Sequence, residues 1–354
     1  MQPGLEGVVA AETVLSTADP KRNMLWMRGV AVPDLVAEYG YEGTIALLWD
    51  GFAGNGLTRT GLQTALGEAR TAAFAALPAW LDAAARRPME AAVRRCLAEL
   101  ADDSTPAAII AALSVGVPAL IRARRGAAPV PPDASLSTAA DLLRMTHGDA
   151  QDAARVAALD AYFTAMMDSG LNASSFTARV VASTRASLVP ATLGAWCAFT
   201  GELHGGAPGP TLALLDEAAT VADLDAWLER KLLAGERLMG FGHRLFPDGN
   251  DPRSQAIRAA LRRLGPQASR LDFANEVERR LQSVLARIKP GRRLPANLEI
   301  AAALLLDALG FPREAFTAVF AVGRAPGWLA QAMEQAKTGR MYRPTATYIG
   351  PPLK

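Results

Sequence analysis

The chain has 354 residues, 50% of them hydrophobic, 20% charged and only 6% aromatic. Its 37 Lys and Arg stand against 35 Asp and Glu, a formal net charge of +2, which offers no global field to nucleic acid or an anionic membrane, so any anion site must be local. Frequent Ala and sparse aromatics favour closely packed helices over sheets, and the length suits two domains or one large helical unit with an inserted subdomain.

The opening segment MQPGLEGVVAAE has no basic start followed by an apolar block, so no secretion signal is expected and the expected location is cytoplasmic. Val8, Val9, Val14 and Leu15 suggest a short hairpin, and helical periodicity begins near Val32. The apolar run from Pro106 to Ile121 is too short to span a bilayer, and Gly116 and Pro118 inside it predict a buried helix with a kink or break. Gly126 to Pro132 reads as a rigid loop. Asp152 to Met167 is patterned as an amphipathic helix with Val156, Leu159, Tyr162, Phe163 and Met166 on one face. It stops at Asp168-Ser169-Gly170, after which Asn172 is placed to cap a second helix through Phe176 and Val181.

From His204 to about Glu299, Gly-rich loops alternate with charged helices at 223–233 and 273–287, which reads as a smaller second domain. Apolar helix returns at 301–309 and 328–336 before a Pro-rich tail. The expected fold is therefore all-α, with a large helical domain from 1–203 and 301–354 and a smaller inserted helical domain at 204–300. Cys96 and Cys197 match no metal-ligand spacing and read as buried structural thiols in a reducing compartment.

Two of the three histidines lie in Gly-rich loops: His204 in Leu203-His204-Gly205-Gly206, and His243 in Gly240-Phe241-Gly242-His243-Arg244. Flanking glycines let backbone approach a ligand closely, and imidazole is suited to proton donation near neutral pH. The plainer reading is that each imidazole only hydrogen-bonds its own loop. His147, in Thr146-His147-Gly148, reads as a surface turn residue. Arg253, Arg324 and Arg343 lie beside turn or helix-start signals, and three convergent guanidinium groups would suit a dicarboxylate. Taken singly, each such arginine is more often solvated or salt-bridged.

Eight motifs carry a resemblance along nearly the whole chain: GLEGVVAAET at 4–13, Arg28-Gly29, LNASSFTAR at 171–179, LHGGAP at 203–208, LMGFGHR at 238–244, DPR at 251–253, GRAPGW at 323–328 and RPTATYIGP at 343–351. In this order they resemble citrate synthases of the short bacterial and archaeal type, or 2-methylcitrate synthases. The resemblance implies an acyltransferase that condenses the enolate of acetyl-CoA with oxaloacetate and then hydrolyses the citryl thioester, a step of the tricarboxylic acid cycle. It implies that His204 bonds the thioester oxygen and that His243 protonates the ketone oxygen of the 2-oxo acid. Arg253, Arg324 and Arg343 would hold carboxylates, with Asn172 and Ser169 also at the substrate and Arg343 reaching in from the second subunit of a homodimer. Leu238, Met239, Gly240, Phe241 and Gly242, with Asn297, would meet CoA. The resemblance implies acetyl-CoA as co-substrate, no permanently bound cofactor, no metal, and no nucleic-acid or membrane partner.

Three departures qualify it. The family's base is usually the Asp of Pro-Asn-Val-Asp, whereas here Pro295-Ala296-Asn297-Leu298-Glu299 makes Glu299 the candidate catalytic base. Its extra methylene matters, because misplacement by about 1 Å can cost roughly a hundredfold in rate; the plainer role is support of a helix N-terminus. Ser169 stands where the family has a His three residues before the Asn, and serine cannot carry charge, so recognition of the oxo acid is expected to be weakened or altered. The loop 244–250 is one residue longer than usual and lacks a basic residue often found there, which leaves the CoA phosphate contacts open. The alternatives are therefore a 2-methylcitrate synthase, a synthase for another 2-oxo acid, and a non-catalytic paralogue that binds CoA or citrate. Retention of His204, His243, a carboxylate at 299 and three arginines favours catalysis.

Overall fold

The computed structural model describes residues 3–5, 7–206, 208–242, 246–265 and 269–352. A small antiparallel sheet opens it, in which β1 (Ser16–Asp19) pairs with β2 (Met24–Met27) in the register Ser16↔Met27, and β2 pairs with β3 (Val30–Ala31). The expected hairpin around Val8 to Leu15 is therefore displaced along the chain. Val8, Val9 and Val14 are exposed and lie in no strand, while Leu15, Leu25 and Met27 supply the apolar side of the sheet. The turn is made at Pro20 to Asn23, where Asn23 takes the left-handed conformation (φ 53) that Asn tolerates.

Helices make up most of the remaining chain. The short α1 (Val32–Asp34) leads through a π turn into α2 (Gly40–Trp49). There follow α3 (Arg59–Ala76), α4 (Leu81–Ala85), α5 (Met89–Ala98), α6 (Pro106–Arg124), α7 (Thr138–His147), α8 (Ala153–Met166), α9 (Ala173–Ser183) and α10 (Leu188–Phe199). Beyond the first histidine loop come α11 (Pro208–Thr220), α12 (Leu224–Leu233), α13 (Pro252–Arg262) and α14 (Ser269–Ile288), then α15 (Leu298–Ala308) and α16 (Phe316–Thr338). The fold is all-α apart from the small sheet. Its helix starts are chemically marked: the side chains of Asp152, Asn172, Asp223, Asp251 and Asn297 each accept a backbone N–H of the turn they open, satisfying an otherwise orphaned donor.

In α6 the helix runs on through Gly116 and Pro118 to Arg124, so the expected break is not there. Its length and composition would suffice to cross a bilayer, yet it is packed among α3, α5, α7 and α16 as a core helix. The small residue serves that packing, since a Cβ on Gly116 would lie 2.8 Å from the Cys96 sulfur. Cys96 is buried as expected, but Cys197 is exposed on α10. His147 is not a surface turn residue either: it ends α7 half-buried, with Nε2 2.9 Å from the Leu309 carbonyl and its ring against Phe311.

The expected helix at 328–336 is part of a much longer one, because α16 begins at Phe316 and carries Gly323, Pro326 and Gly327 within it. The sequence GRAPG reads as a turn, but its glycines serve a close helix crossing. A Cβ on Gly327 would lie 2.0 Å from the Met167 carbonyl oxygen, and one on Gly323 would lie 2.9 Å from the Phe163 ring. Four residues apart, the two glycines share a face of α16 and let its backbone lie against the end of α8. For the same reason α8 is not amphipathic along its length: its first turn is exposed, and from Ala158 onward almost every residue is buried. Gly327→Ala should cost about 1–3 kcal/mol or more by overpacking, measured as a lower urea midpoint. An unchanged midpoint would show that α16 can move away from α8 freely.

Candidate active site

The loop expected to meet CoA and the start of α15 are one piece of structure. Phe241 and Ala296 form an antiparallel bridge, Gly242 N donates to Pro295 O at 2.7 Å, and Asn297 N donates to Gly240 O at 2.8 Å. Asn297 then does two things: its Oδ1 accepts Glu299 N at 2.9 Å and caps α15, and its Nδ2 donates to Gly242 O at 2.9 Å. Only glycine fits at 240, where φ is 87 and a Cβ would lie 2.6 Å from Thr211 and 2.7 Å from Ile300. Leu238, Gly240 and Phe241 are buried, while Met239 and Gly242 are half-buried. Beside this loop lies a cleft of about 250 Å³ lined by Arg237, Leu238, Phe241, Lys289 and Arg292.

Glu299, second residue of α15, points a carboxyl into the interior. Its Oε2 is buried and has no hydrogen-bond partner among the described residues. Burial pushes its pKa up to about 7, opposed by the charges of Arg253 and Arg324 and reinforced by Asp251.

His204 sits in the turn that follows α10, with its ring edge-on to Phe199 at 5.0 Å. Gly205 is obligatory here, since a Cβ would lie 2.5 Å from the Phe199 ring. Nε2 of His204 is 2.8 Å from Ser174 Oγ, which also receives Trp328 Nε1–H at 3.0 Å and lies 2.8 Å from Asn172 Oδ1. Burial, then the nearby Arg324 charge, lowers the His204 pKa to about 4, so the ring is neutral at ordinary pH. Ser174 has one proton to give. If it goes to Nε2, the imidazole presents Nδ1–H; if it goes to Asn172, the imidazole donates Nε2–H to Ser174 and leaves Nδ1 bare.

Arg324 lies in the middle of α16, not beside a turn as expected, and is 3% exposed. Its Nη1 donates to Ser169 Oγ at 3.1 Å, its guanidinium lies 5.2 Å from the Phe320 ring, and its Nε has no partner among the described residues. No carboxylate forms a salt bridge with it among those residues. Burial, and next the like charge of Arg253, lowers its pKa to about 10. Arg253, in the first turn of α13, is held by its own helix cap, donating from Nε to Asp251 Oδ1 at 3.0 Å and from Nη2 to Oδ2 at 2.6 Å. Asn172, besides capping α9, has Nδ2 3.4 Å from Ser169 Oγ.

The structure thus gathers Glu299, Arg324, Arg253, His204, Asn172 and Ser169. Arg343 is elsewhere, exposed on the C-terminal segment after Tyr342, whose ring meets Phe176 edge-on at 5.5 Å. His243 lies outside the described residues, as do Arg244 and Leu245. Sequence reasoning missed Ser174 and Trp328, although both stand inside the quoted motifs. It also took Tyr162 as one more apolar position of α8, whereas its buried hydroxyl has no partner among the described residues and its pKa is raised by burial and by the Glu299 charge.

A carboxyl raised to about 7 and a neutral imidazole, near a buried arginine that no carboxylate pairs among the described residues, are what an enzyme needs to move protons on an anionic substrate, and here they sit within an all-helical fold. The family described as citrate synthase, C-terminal domain, matches residues 4–345. The chain belongs to the citrate synthase family, whose members are acyltransferases. A Mycobacterium tuberculosis protein provisionally named citrate synthase 2 is 37% identical, covering 99% of this chain and 93% of its own length. The 2-methylcitrate synthase of the same organism is 31% identical, covering 99% and 91%. The crystal structure of citrate synthase from Thermotoga maritima superposes with a TM-score of 0.86 at 26% identity, covering 99% of this chain and 96% of that one.

The Glu299 assignment has a consequence for stability. A carboxyl held at about 7 against an ordinary 4.5 keeps its proton longer in the folded state, so its contribution is lost as pH rises from 4.5 through 7. Glu299→Gln should therefore raise the melting temperature relative to wild type at pH 8 and leave it unchanged at pH 4.5. An equal effect at both pH values would show that the carboxyl is not shifted.

Proposed function

We propose that this protein condenses acetyl-CoA with oxaloacetate and hydrolyses the resulting thioester to citrate and CoA. The observation that carries the reading is the buried Glu299 carboxyl, raised to about 7, with an oxygen that has no partner among the described residues and within reach of the charge of Arg324, whose guanidinium forms no ion pair among those residues. As carboxylate, Glu299 takes a proton from the methyl carbon of the acetyl thioester. His204, in the tautomer with hydrogen on Nδ1, donates to the thioester oxygen as charge gathers there; being neutral, it stabilises the enolate by hydrogen bonding. The nucleophilic carbon then attacks the ketone of oxaloacetate, whose carboxylates are held by Arg324 and Arg253, and His243 gives the ketone oxygen its proton. Water finally cleaves the citryl thioester.

The remaining assignments belong to the same proposal. Arg343 is exposed, and among the described residues it makes no ion pair, which fits service to a second copy in a homodimer, each site being completed by the partner subunit's Arg343. The cleft bearing Arg237, Lys289 and Arg292 next to the 238–242 loop supplies cations for the phosphates of CoA. Residues 204–300 would act as a smaller domain closing on residues 1–203 and 301–354, shutting out water during bond formation. With oxaloacetate as acceptor, the reaction is a step of the tricarboxylic acid cycle, carried out in the cytoplasm.

Free-thiol release with acetyl-CoA and propionyl-CoA against a panel of 2-oxo acids tests this reading. Acetyl-CoA with oxaloacetate should give the highest kcat/KM, and Glu299→Gln should lower it by about 100-fold or more. Because the base works ionised, kcat/KM should fall as pH drops below about 7. Binding of CoA without thiol release from any pair would overturn the reading in favour of a sensor.

Ser169 supports a second reading, a synthase for a different 2-oxo acid. Its hydroxyl, engaged by Arg324, leaves room that an imidazole would fill. Ser169→His should raise kcat/KM for oxaloacetate by about 10- to 100-fold, the value of one charge-assisted hydrogen bond, and should harm any bulkier natural acceptor. No change for any substrate would show that residue 169 does not face the oxo acid.

A further inference from the structure

We infer that Ser16, in the N-terminal sheet, is a positioning residue for the 2-oxo acid end of the site, holding the turn that bears Ser169 and keeping Asp168 from pairing with Arg324. The inference rests on the functional reading above. Ser16 opens β1 and is 9% exposed. Its hydroxyl donates to Asp168 Oδ2 at 2.5 Å and accepts Gly170 N–H at 2.8 Å, so its two bonds straddle Ser169. Packing fixes the start of this turn, since Asp168 is buried and a Cβ on Gly327 would lie 3.2 Å from its Cβ, whereas at Gly170, with φ 74, a Cβ would meet nothing within 4 Å. The hydrogen bonds of Ser16 therefore bear most on where residues 169 and 170 sit.

A second tether comes from α16. Gln331 Nε2 donates to the same Asp168 oxygen at 3.0 Å, and Gln331 Oε1 accepts Arg179 Nε at 2.5 Å. Arg179 also pairs with Glu334, whose carboxylate receives Thr13 Oγ1–H and Val14 N–H, each at 2.8 Å. Residues 13–16 are thus tied both to the turn at 168–170 and to the helix that carries Arg324, so one segment sets the spacing between Ser169 and that guanidinium.

Asp168 is the hazard in this arrangement. It is buried, its Oδ1 has no partner among the described residues, and it is close enough for its charge to act on Arg324. Ser16 and Gln331 occupy its other oxygen and hold the carboxyl in place. Without the Ser16 hydroxyl, Asp168 keeps only the Gln331 bond, residues 169 and 170 lose their anchor to the sheet, and the cheapest new partner for the carboxylate is Arg324, which the substrate carboxylate needs.

The test uses the full chain, titrating oxaloacetate and CoA separately by calorimetry alongside thiol-release kinetics. Ser16→Ala should raise the Kd and KM for oxaloacetate about tenfold, the worth of one hydrogen bond, with kcat and both coenzyme constants within about threefold of wild type. Adding Asp168→Asn to Ser16→Ala should restore most of the oxaloacetate affinity, because the amide cannot form the competing ion pair; a merely structural role predicts further loss. Should the alanine variant fail to fold, Ser16→Cys, with its weaker donor, should lie between wild type and the tenfold effect. Wild-type oxaloacetate affinity in the Ala or Cys variant, equal losses for both ligands, or no rescue in the double variant would overturn the inference. A wild type that binds oxaloacetate but releases no thiol overturns the condensation reading and leaves Ser16 to be judged by the titrations. One that binds no 2-oxo acid overturns both.

Discussion

The close contact between α16 and α8 is the constraint on which the rest of the site depends. With no Cβ at Gly323 or Gly327, the backbone of α16 lies directly against Phe163 and Met167, and the neighbouring stripe of α16 is committed to the site residue by residue. Phe320 stacks near Arg324 and meets Phe199, Arg324 reaches Ser169, Trp328 reaches Ser174, and Gln331 reaches Asp168. These four positions are spaced by four, four and three residues, which is one face of an α-helix. A single rigid helix therefore sets the height of the cation, the orientation of the His204 partner and the tether of the 168–170 turn. A small error in the crossing would misplace all of them together, which is why the glycines matter more to function than their size implies.

Burial then does chemical work with opposite signs on two groups. The same loss of solvent that raises Glu299 to about 7 lowers His204 to about 4, because in each case the charged form is the one penalised. The carboxyl becomes basic enough to matter at neutral pH, and the imidazole becomes a neutral donor. Arg324 stays charged even with its pKa lowered to about 10, so the pocket keeps its positive charge beside that of Arg253, which its own cap residue Asp251 already holds. An anionic ligand entering there gains a partner that no carboxylate among the described residues has already taken, and its negative charge makes Glu299 harder still to ionise.

Much of this was legible in the sequence where local chemistry decides the structure. The end of α8 just before Asp168-Ser169-Gly170, the Asn172 cap and the charged helices α12 and α14 all follow from cap residues and periodicity. What stayed hidden depends on tertiary contact. GRAPG carries every local sign of a turn, yet lies inside a 23-residue helix because the crossing with α8 rewards its glycines. Leu15 looked like part of a hairpin with Val8 and Val9, but the turn-forming Pro20 to Asn23 moves the pairing downstream. Ser174 and Trp328 were quoted within motifs without a role, since a hydroxyl between an indole and an imidazole can be recognised only once two separate helices and a loop have met.

Glu299 in place of an aspartate is best understood from its backbone. Asn297 clamps the Glu299 N–H with one end of its side chain and the Gly242 carbonyl with the other, while the main chain of 295–297 pairs with 240–242. The start of α15 is therefore held by the loop expected to meet CoA, and it cannot slide to compensate for a longer side chain. The extra methylene must be absorbed by the glutamate's own torsions, placing the carboxyl about a bond length deeper than an aspartate would reach from the same Cα. That depth brings it toward Arg324 and the Tyr162 hydroxyl, which has no partner among the described residues. A serine at 169, bonded to Arg324 Nη1 at 3.1 Å, puts a smaller side chain than the family's imidazole against the same guanidinium. The two departures thus act on the surroundings of one guanidinium, one with a longer side chain and the other with a shorter one, and the acceptor that fits is decided by both together.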